Sequence, residues 1–203
     1  MASYGESVFI NCPFDPMYEG LFKAIIFTVL DCGYTPRSTK EIENFHDPRI
    51  HTIYRIISEC RYGIHDLSRT QLDQFGLPRF NMPLELGIFL SAQYFGSHKQ
   101  KMKESLVMAK TRYRYQIYMS DLAGQDVKAH QNQISKVIEI TRNWLRTKTN
   151  EIIPSPSSIW SHYKLFKRAL PIFCETMPIR LDSKALHHKD YLAVAAEWLR
   201  INT

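Results

Sequence analysis

The chain has 203 residues with ordinary apolar (44%) and charged (23%) fractions, which fits one globular domain or a domain with a helical appendage. No apolar run approaches the ~18–20 residues of a membrane span, so no membrane segment is expected. The net charge of +6 hides an asymmetry, because residues 1–98 carry 8 Lys/Arg against 11 Asp/Glu and residues 99–203 carry 18 against 9. The basic second half could face nucleic acid or an acidic partner, or be a solvated helical surface.

Two features of the sequence bear on the compartment and on metals. The start of the chain lacks both the basic and the apolar region of a signal peptide, which predicts a cytoplasmic protein. The four cysteines are widely spaced, with no CxxC pair, so reduced thiols and no metal site are expected.

Short apolar runs bounded by breaking residues predict the strands. The first, at 7–11, is ended by the CPFDP segment at 12–16, which contains two prolines. Further strands are predicted at 34–37, 62–66 and 105–109, and a short edge strand at 117–119.

Segments with apolar residues at helical spacing alternate with these strands. The first predicted helix is stopped by Gly33, a residue suited to a left-handed C-cap. Strands that alternate with helices imply parallel strands joined by right-handed crossovers. We therefore predict an α/β three-layer sandwich with a central, mostly parallel sheet and additional C-terminal helices. The predicted helices cover 18–31, 49–60, a segment from Pro83 onward, 134–148, 159–177 and 191–201.

The clearest linker is the PSPSS segment at 154–158. We accordingly divide the chain into an α/β domain, residues 1–150, and a C-terminal helical extension, residues 151–203.

Polar clusters follow three predicted strands at their carboxyl ends, the edge where such sheets bind ligands. They lie at 11–15, 37–40 and 66–68, and their convergence predicts a binding site there. The chain contains no GxGxxG, GxxxxGK[ST] or GxSxG motif, which argues against dinucleotide redox chemistry, P-loop hydrolysis and an α/β-hydrolase triad.

One carboxylate, Glu85, lies within an otherwise apolar predicted helix. Pro83 suits a first helical turn, which would put Glu85 in that turn with Leu84 and Leu86 on either side. Glu85 is either a capping group that gains from the helix dipole or a site residue, since a buried carboxylate needs a reason. Its place at a helix N-terminus is expected to favour the ionised form.

Other polar residues near this edge allow two interpretations each. Asp66, at a strand end, is an acid, base or ribose-binding group, or else a turn former, whereas His65 points to the other face and is expected to pack. Asn81 either binds a sugar hydroxyl or caps the helix, and Arg79 either meets a phosphate or is an exposed surface residue. Three polar residues follow the fourth predicted strand, and they either approach the site from a loop or cap the next helix. They are Asp121, Asp126 and His130.

Three segments resemble the core of nucleoside 2-deoxyribosyltransferases. IHDLS at 64–68 is followed, after a loop, by NMPLELG at 81–87, and VFINCPF at 8–14 resembles that family's first strand and its Gly-Pro-Phe-type loop. In the family, a strand ending in an acidic residue leads to a helix with a Phe-Glu-Leu-Gly-type sequence, whose glutamate is the nucleophile. The wider relatives are TIR domains, whose catalytic glutamate serves NAD cleavage. The chain is also similar to bacterial TIR-like proteins found near anti-phage defence genes.

The resemblance, which covers roughly residues 7–125, implies a set of site residues. Glu85 and Asp66 would be catalytic. The residues that bind the substrate would be Asn11, Phe14, Asn81, Arg79 and Ser68.

The implied activity is cleavage of the N-glycosidic bond of NAD or a related nucleotide, in a regulated effector of bacterial defence. NAD would be the substrate, and no cofactor is expected. The alternatives are a nucleoside deoxyribosyltransferase, a non-catalytic nucleotide-binding signalling module, and a structural protein that uses the fold to oligomerise.

An enzyme that depletes NAD needs control, so a homo-oligomer or an activating protein partner is expected. The last predicted helix places five apolar residues on one stripe, which either docks on another helix or packs on its own domain. These residues are Tyr191, Val194, Ala195, Trp198 and Leu199.

Overall fold

The computed structural model describes residues 3–41, 48–69, 79–117, 119–122, 124 and 126–203. Its strands are β1 (Ser7–Asn11), β2 (Thr35–Arg37), β3 (Tyr62–Asp66), β4 (Glu104–Ala109) and β5 (Lys128–Ala129). All strand pairs are parallel, and the order across the sheet is β2-β1-β3-β4-β5, which is the flavodoxin-like order. The predicted α/β class and the parallel sheet are confirmed.

Helices cover both faces of this sheet. They are α1 (Glu19–Asp31), α2 (Arg49–Glu59), α3 (Asn81–Phe95), α4 (His98–Lys101), α5 (Ile134–Arg146), α6 (Pro156–Thr176) and α7 (His188–Asn202). One face packs against α1 and α5, and the other packs against α2 and α3, which gives three layers. Two more helices, α6 and α7, pack on the outer side of α1 and α5. No helix within the described ranges has both the length and the apolar character needed to cross a membrane.

The central strands β1 and β3 are buried at every residue, as expected for parallel strands covered on both faces. Successive side chains alternate between the two helical layers. Ile64 joins the core on the α1 side, whereas Phe9 joins a separate cluster with α2 and α3. His65 and Asp66 therefore face opposite layers, and this alternation decides which of them can reach a site beside α3.

The C-terminal helices share the main hydrophobic core with α1. The ring of Phe27 in α1 lies 5.4 Å from that of Tyr163, 5.1 Å from that of Phe166 and 6.1 Å from that of Trp198. The whole apolar stripe predicted on α7 is buried in this way, so it packs on its own chain. The PSPSS segment is more than a linker, because Ser155 caps α6 by accepting a hydrogen bond from the Ser158 N–H at 3.1 Å.

Two predictions about local structure were wrong. Ile117 ends a 3₁₀ helix, Arg114–Ile117, and Met119 lies outside any strand, so no edge strand forms from them; Tyr118 lies outside the described residues. The edge is instead the two-residue strand β5. The helix expected near Pro83 begins at Asn81, where the Leu84 N–H already donates to the Phe80 carbonyl at 2.9 Å.

Candidate active site

A cleft of about 710 Å³ opens at the carboxyl end of β1, beside the first turns of α3. It brings together five of the seven residues predicted for the site, namely Glu85, Asn11, Phe14, Asn81 and Arg79. The loop after β1 and the first residue of α2 complete its wall. The full lining is Asn11, Cys12, Pro13, Phe14, Asp15, Pro16, Arg49, Arg79, Phe80, Asn81, Met82 and Glu85.

Glu85 is the acidic residue of α3 that borders this cleft. Because α3 begins at Asn81, Glu85 lies in the second helical turn and not in the first, which corrects the sequence prediction. Its side chain is only 6% exposed, and within the described part of the chain it makes no hydrogen bond or ion pair. Burying a carboxyl without a partner is costly, so Glu85 is the residue of this cleft whose position most calls for an explanation.

The environment of Glu85 opposes ionisation. Burial raises the pKa of its carboxyl to about 7, although the positive charge of Arg49 lowers it in part. The expected preference for the ionised form is therefore lost near neutral pH, because desolvation raises the pKa of the Glu85 carboxyl by more than the charge of Arg49 lowers it. Near neutral pH the site holds a mixture of carboxylate and carboxylic acid.

Asn11 joins the end of β1 to the start of α3. Its Nδ2 donates to the Met82 carbonyl at 2.8 Å and lies 3.0 Å from Nδ1 of His65. His65 is fully buried between the rings of Phe9 and Phe89, and burial lowers its pKa to about 3, so it is neutral. The amide nitrogen of Asn11 thus helps to fix the start of α3, and with it Glu85.

Phe14 forms an apolar part of the wall. Its half-buried ring packs edge-on against Phe22 at 5.2 Å, and the amino group of Lys40 lies 5.1 Å from its centroid. A ring held in this way on a loop offers its free surface for contact with a base or sugar.

Two arginines border the same cleft. Arg79 is 55% exposed, with Nη1 lying 3.6 Å from Oδ2 of Asp15, and Arg69 holds the other oxygen of Asp15 at 2.9 Å. Arg49 is exposed and donates to Oγ1 of Thr39 at 3.3 Å. Sequence reasoning missed Arg49, because it lies far from Glu85 along the chain and looks like an ordinary first residue of a helix. Together Arg49 and Arg79 can receive an anionic group such as a phosphate.

Asn81 has the first position of α3 and is exposed to the cleft. It is not the N-cap, a position that Phe80 takes without a side-chain hydrogen bond. Its amide is therefore not used in capping and can contact a ligand.

Asp66 and Ser68 are not brought to the cleft. Asp66 is fully buried on the α1 side of the sheet, where its carboxylate accepts from the Tyr18 hydroxyl, from the Ser68 N–H at 2.8 Å and from Nε2 of His130 at 2.9 Å. Burial alone would raise the pKa of Asp66, but the hydrogen bonds from His130, Ser68 and Tyr18 hold that pKa below its usual value. Through these hydrogen bonds Asp66 links β3 to the start of α1 and to the chain after β5. This geometry does not support a catalytic role for Asp66.

The Ser68, His130 and Asp66 side chains do not form a nucleophile relay. The hydroxyl of Ser68 lies 2.8 Å from Nε2 of His130, which is the same nitrogen that contacts Asp66. The other nitrogen, Nδ1, accepts from the Asn132 N–H at 3.1 Å. A relay needs the serine and the aspartate on different ring nitrogens. Asp126, grouped with His130 in the sequence, is exposed and pairs with Lys128, and the N-cap of α5 is Gln133.

No arrangement of three or more His, Cys, Asp or Glu side chains suited to a metal ion occurs among the residues that the structure describes. All four cysteines are free and buried.

Comparison with known proteins yields no match: no protein-family model, no curated protein and no solved structure matches the chain. The resemblance to deoxyribosyltransferases and TIR domains therefore rests on the short segments described above. Any function has to be argued from the cleft itself.

Proposed function

We propose that the chain cleaves the N-glycosidic bond of a nucleotide, with NAD as the favoured substrate and Glu85 as the catalytic carboxylate. The observation that carries the proposal is a buried carboxyl, without a hydrogen-bond or ion-pair partner among the described residues, that opens into a cleft bordered by two arginines. The arginines supply a place for phosphates, and the carboxyl lies deeper, where a sugar would follow.

In this reaction the role of Glu85 is to stabilise positive charge that develops on the sugar. As the bond from C1′ to the base breaks, its electron pair leaves with the base and C1′ becomes oxocarbenium-like. An ionised Glu85 either captures C1′ covalently or stabilises the cation until water attacks. Both roles require the carboxylate, so turnover should increase as the pH rises through the pKa of about 7.

The small number of carboxyl groups described in the cleft favours NAD over a neutral nucleoside as the substrate. Among the lining residues that the structure describes, the acidic residue apart from Glu85 is Asp15, which is held by Arg69 and Arg79. A neutral nucleoside needs a general acid to protonate its departing base, as in two-carboxylate glycosidases. The nicotinamide ring of NAD carries a positive charge and leaves as a neutral molecule, so one carboxylate suffices.

The test is incubation of the purified protein with NAD, followed by chromatographic measurement of released nicotinamide. Glu85→Gln should abolish release, whereas Glu139→Gln, an exposed glutamate on α5, should leave it unchanged. Release that survives Glu85→Gln would remove Glu85 from the mechanism. Adding a free base as acceptor distinguishes hydrolysis from the transferase alternative, since a transferase forms a new nucleoside.

A second candidate is a non-catalytic nucleotide-binding signalling module. The observation in its favour is the raised pKa of Glu85, because a protonated carboxyl can donate a hydrogen bond to a ligand. Titration calorimetry separates the two functions. Binding of NAD without any release of nicotinamide, and with an affinity that Glu85→Gln alters, would support the module.

The role as a regulated effector of bacterial defence follows from the sequence resemblance alone and stays a prediction. Its test is expression of the chain in bacteria, with cellular NAD measured before and after phage infection.

A further inference from the structure

The outer face of α3 carries an unusual set of exposed apolar side chains. Phe80 is 64% exposed, Leu84 55%, Tyr94 76% and Phe95 80%. At 100° per residue these four lie on one side of the helix, together with Gly87 and Ser91, while Glu85, Leu86 and Phe89 point inward. We call this outer side, defined by residues 80, 84, 87, 91, 94 and 95, the α3 face.

We propose that the α3 face is the contact surface of a homodimer, in which α3 of one copy crosses α3 of a second copy about a two-fold axis. The inference concerns assembly and does not depend on the proposed activity. Three properties of the face point to a second copy of this chain as its occupant.

The first property is charge. Between residues 80 and 95 the one charged residue is Glu85, and its side chain is buried on the inner side of the helix. The chain as a whole has a net charge of +6, so two copies repel each other over most of their surfaces. An uncharged face is where two such copies can meet without that cost, and it offers nothing to a partner recognised by its charge.

The second property is symmetry. A two-fold interface requires that if one residue contacts another across the axis, the reverse contact also occurs. Two antiparallel copies of α3 that cross between Gly87 and Ser91 place these small residues opposite each other and bring Leu84 of each copy beside Tyr94 of the other. Apart from its chain neighbours and the backbone of α3, a β-carbon at Gly87 would meet no described atom within 4 Å, so the centre of the face is open to close approach.

The third property is area. If a large aromatic side chain has about 200 Å² to bury, the exposed fractions of Phe80, Tyr94 and Phe95, with a smaller share from Leu84, give about 500 Å² per copy. The total of about 1,000 Å² reaches the lower limit for a specific interface, which corresponds to a weak dimer.

The experiment is sedimentation equilibrium of the full chain over a wide concentration range. We expect a reversible monomer–dimer equilibrium. Ser91→Arg places a charge at the centre of the face and Phe95→Glu places one at its end, and each should weaken the dimer about 30-fold or more. Both residues are exposed, so neither change disturbs the core. The matched control is Ile172→Glu, on α6 and 69% exposed, which should leave the dimer intact.

The proposal would be overturned if the chain were a monomer at every concentration. It would also be overturned if Ser91→Arg and Phe95→Glu both remained dimeric. A monomer that co-sediments with phosphatidylcholine vesicles, and loses this property in Ser91→Arg, would assign the face to a lipid surface and equally reject the dimer. Circular dichroism of each variant confirms that a lost dimer is not a lost fold.

Discussion

The burial of Glu85 predicts that this residue destabilises the protein at high pH, independently of what the cleft binds. Moving a carboxyl pKa from 4.5 to about 7 corresponds to about 3 kcal/mol, since a tenfold change in the proton equilibrium is worth about 1.4 kcal/mol. The folded state binds the proton more tightly than the unfolded state does. The stabilisation is therefore complete below about pH 4.5 and is lost as the pH rises through about 7.

Glu85→Gln removes this dependence, because glutamine keeps the size of the protonated acid and cannot ionise. We expect the variant to match the parent protein near pH 4 and to exceed its free energy of unfolding by about 3 kcal/mol near pH 8. Urea denaturation of both proteins at a series of pH values, with dilute samples, measures the difference. Glu139→Gln is the control and should give a small difference at every pH, because Glu139 is exposed.

Two outcomes would refute this reasoning. A stability difference that does not change with pH would mean that Glu85 has an ordinary pKa. A variant that is less stable than the parent near pH 8 would mean that the carboxylate has a stabilising partner in solution. If Glu85→Gln is instead more stable than the parent protein and no longer cleaves NAD, Glu85 is a residue that serves function at the expense of stability.

Four further predictions concern single substitutions at the cleft, in the core and on the surface of α3. Replacing Arg49 with leucine removes the charge that lowers the pKa of Glu85, so the midpoint of a pH–rate profile for NAD cleavage should move to higher pH; an unchanged midpoint would contradict this. Asp66→Asn should lower the free energy of unfolding by about 3 kcal/mol at neutral pH, since it leaves buried partners unmatched. The pKa of Asp66 in the folded protein lies below its ordinary value of 3.8, so this loss of stability should become smaller as the pH falls below 3.8. Denaturation curves at several pH values measure the loss, and Asp126→Asn, at an exposed position, is the control. Gly63→Ala should cost about 1–3 kcal/mol, because its β-carbon would lie 2.6 Å from Nε2 of His65 and 2.8 Å from Phe89. Gly87→Ala, on open helix surface, should raise stability by about 0.5–1 kcal/mol in thermal unfolding of dilute protein.

The sequence was sufficient to predict the strands β1 to β4 because buried parallel strands leave a local signal. The run at 7–11 has an apolar centre and is followed by two prolines, the run at 62–66 begins with Tyr-Gly-Ile, and both are fully buried strands. The packing of His65 also followed from strand alternation, and the structure confirms it. The strand β5 has only two residues and an exposed lysine, so no periodicity could reveal it.

The site was harder to predict, because it depends on contacts between distant segments. Pro83 pointed to a helix start at that residue, but the hydrogen bond from Asn11 to the Met82 carbonyl helps to hold a start two residues earlier, which moves Glu85 from the first helical turn into the second. Asp66 has the sequence context of a site residue, and only the positions of Tyr18 and His130 show that its oxygens are occupied. Arg49 carries no sequence signal, since its relation to Glu85 arises from the packing of α2 beside α3.

The contact between Phe27 and Trp198 has a consequence for how the chain is made. These rings come from the first and the last helices described, so their contact spans almost the whole sequence. During synthesis the apolar outer surface of α1 emerges early and stays uncovered until α7 has left the ribosome. Native contacts of such long sequence separation form slowly, and the uncovered surface invites aggregation or capture by a chaperone in the meantime. A nascent chain halted before α7 should therefore be recognised as misfolded.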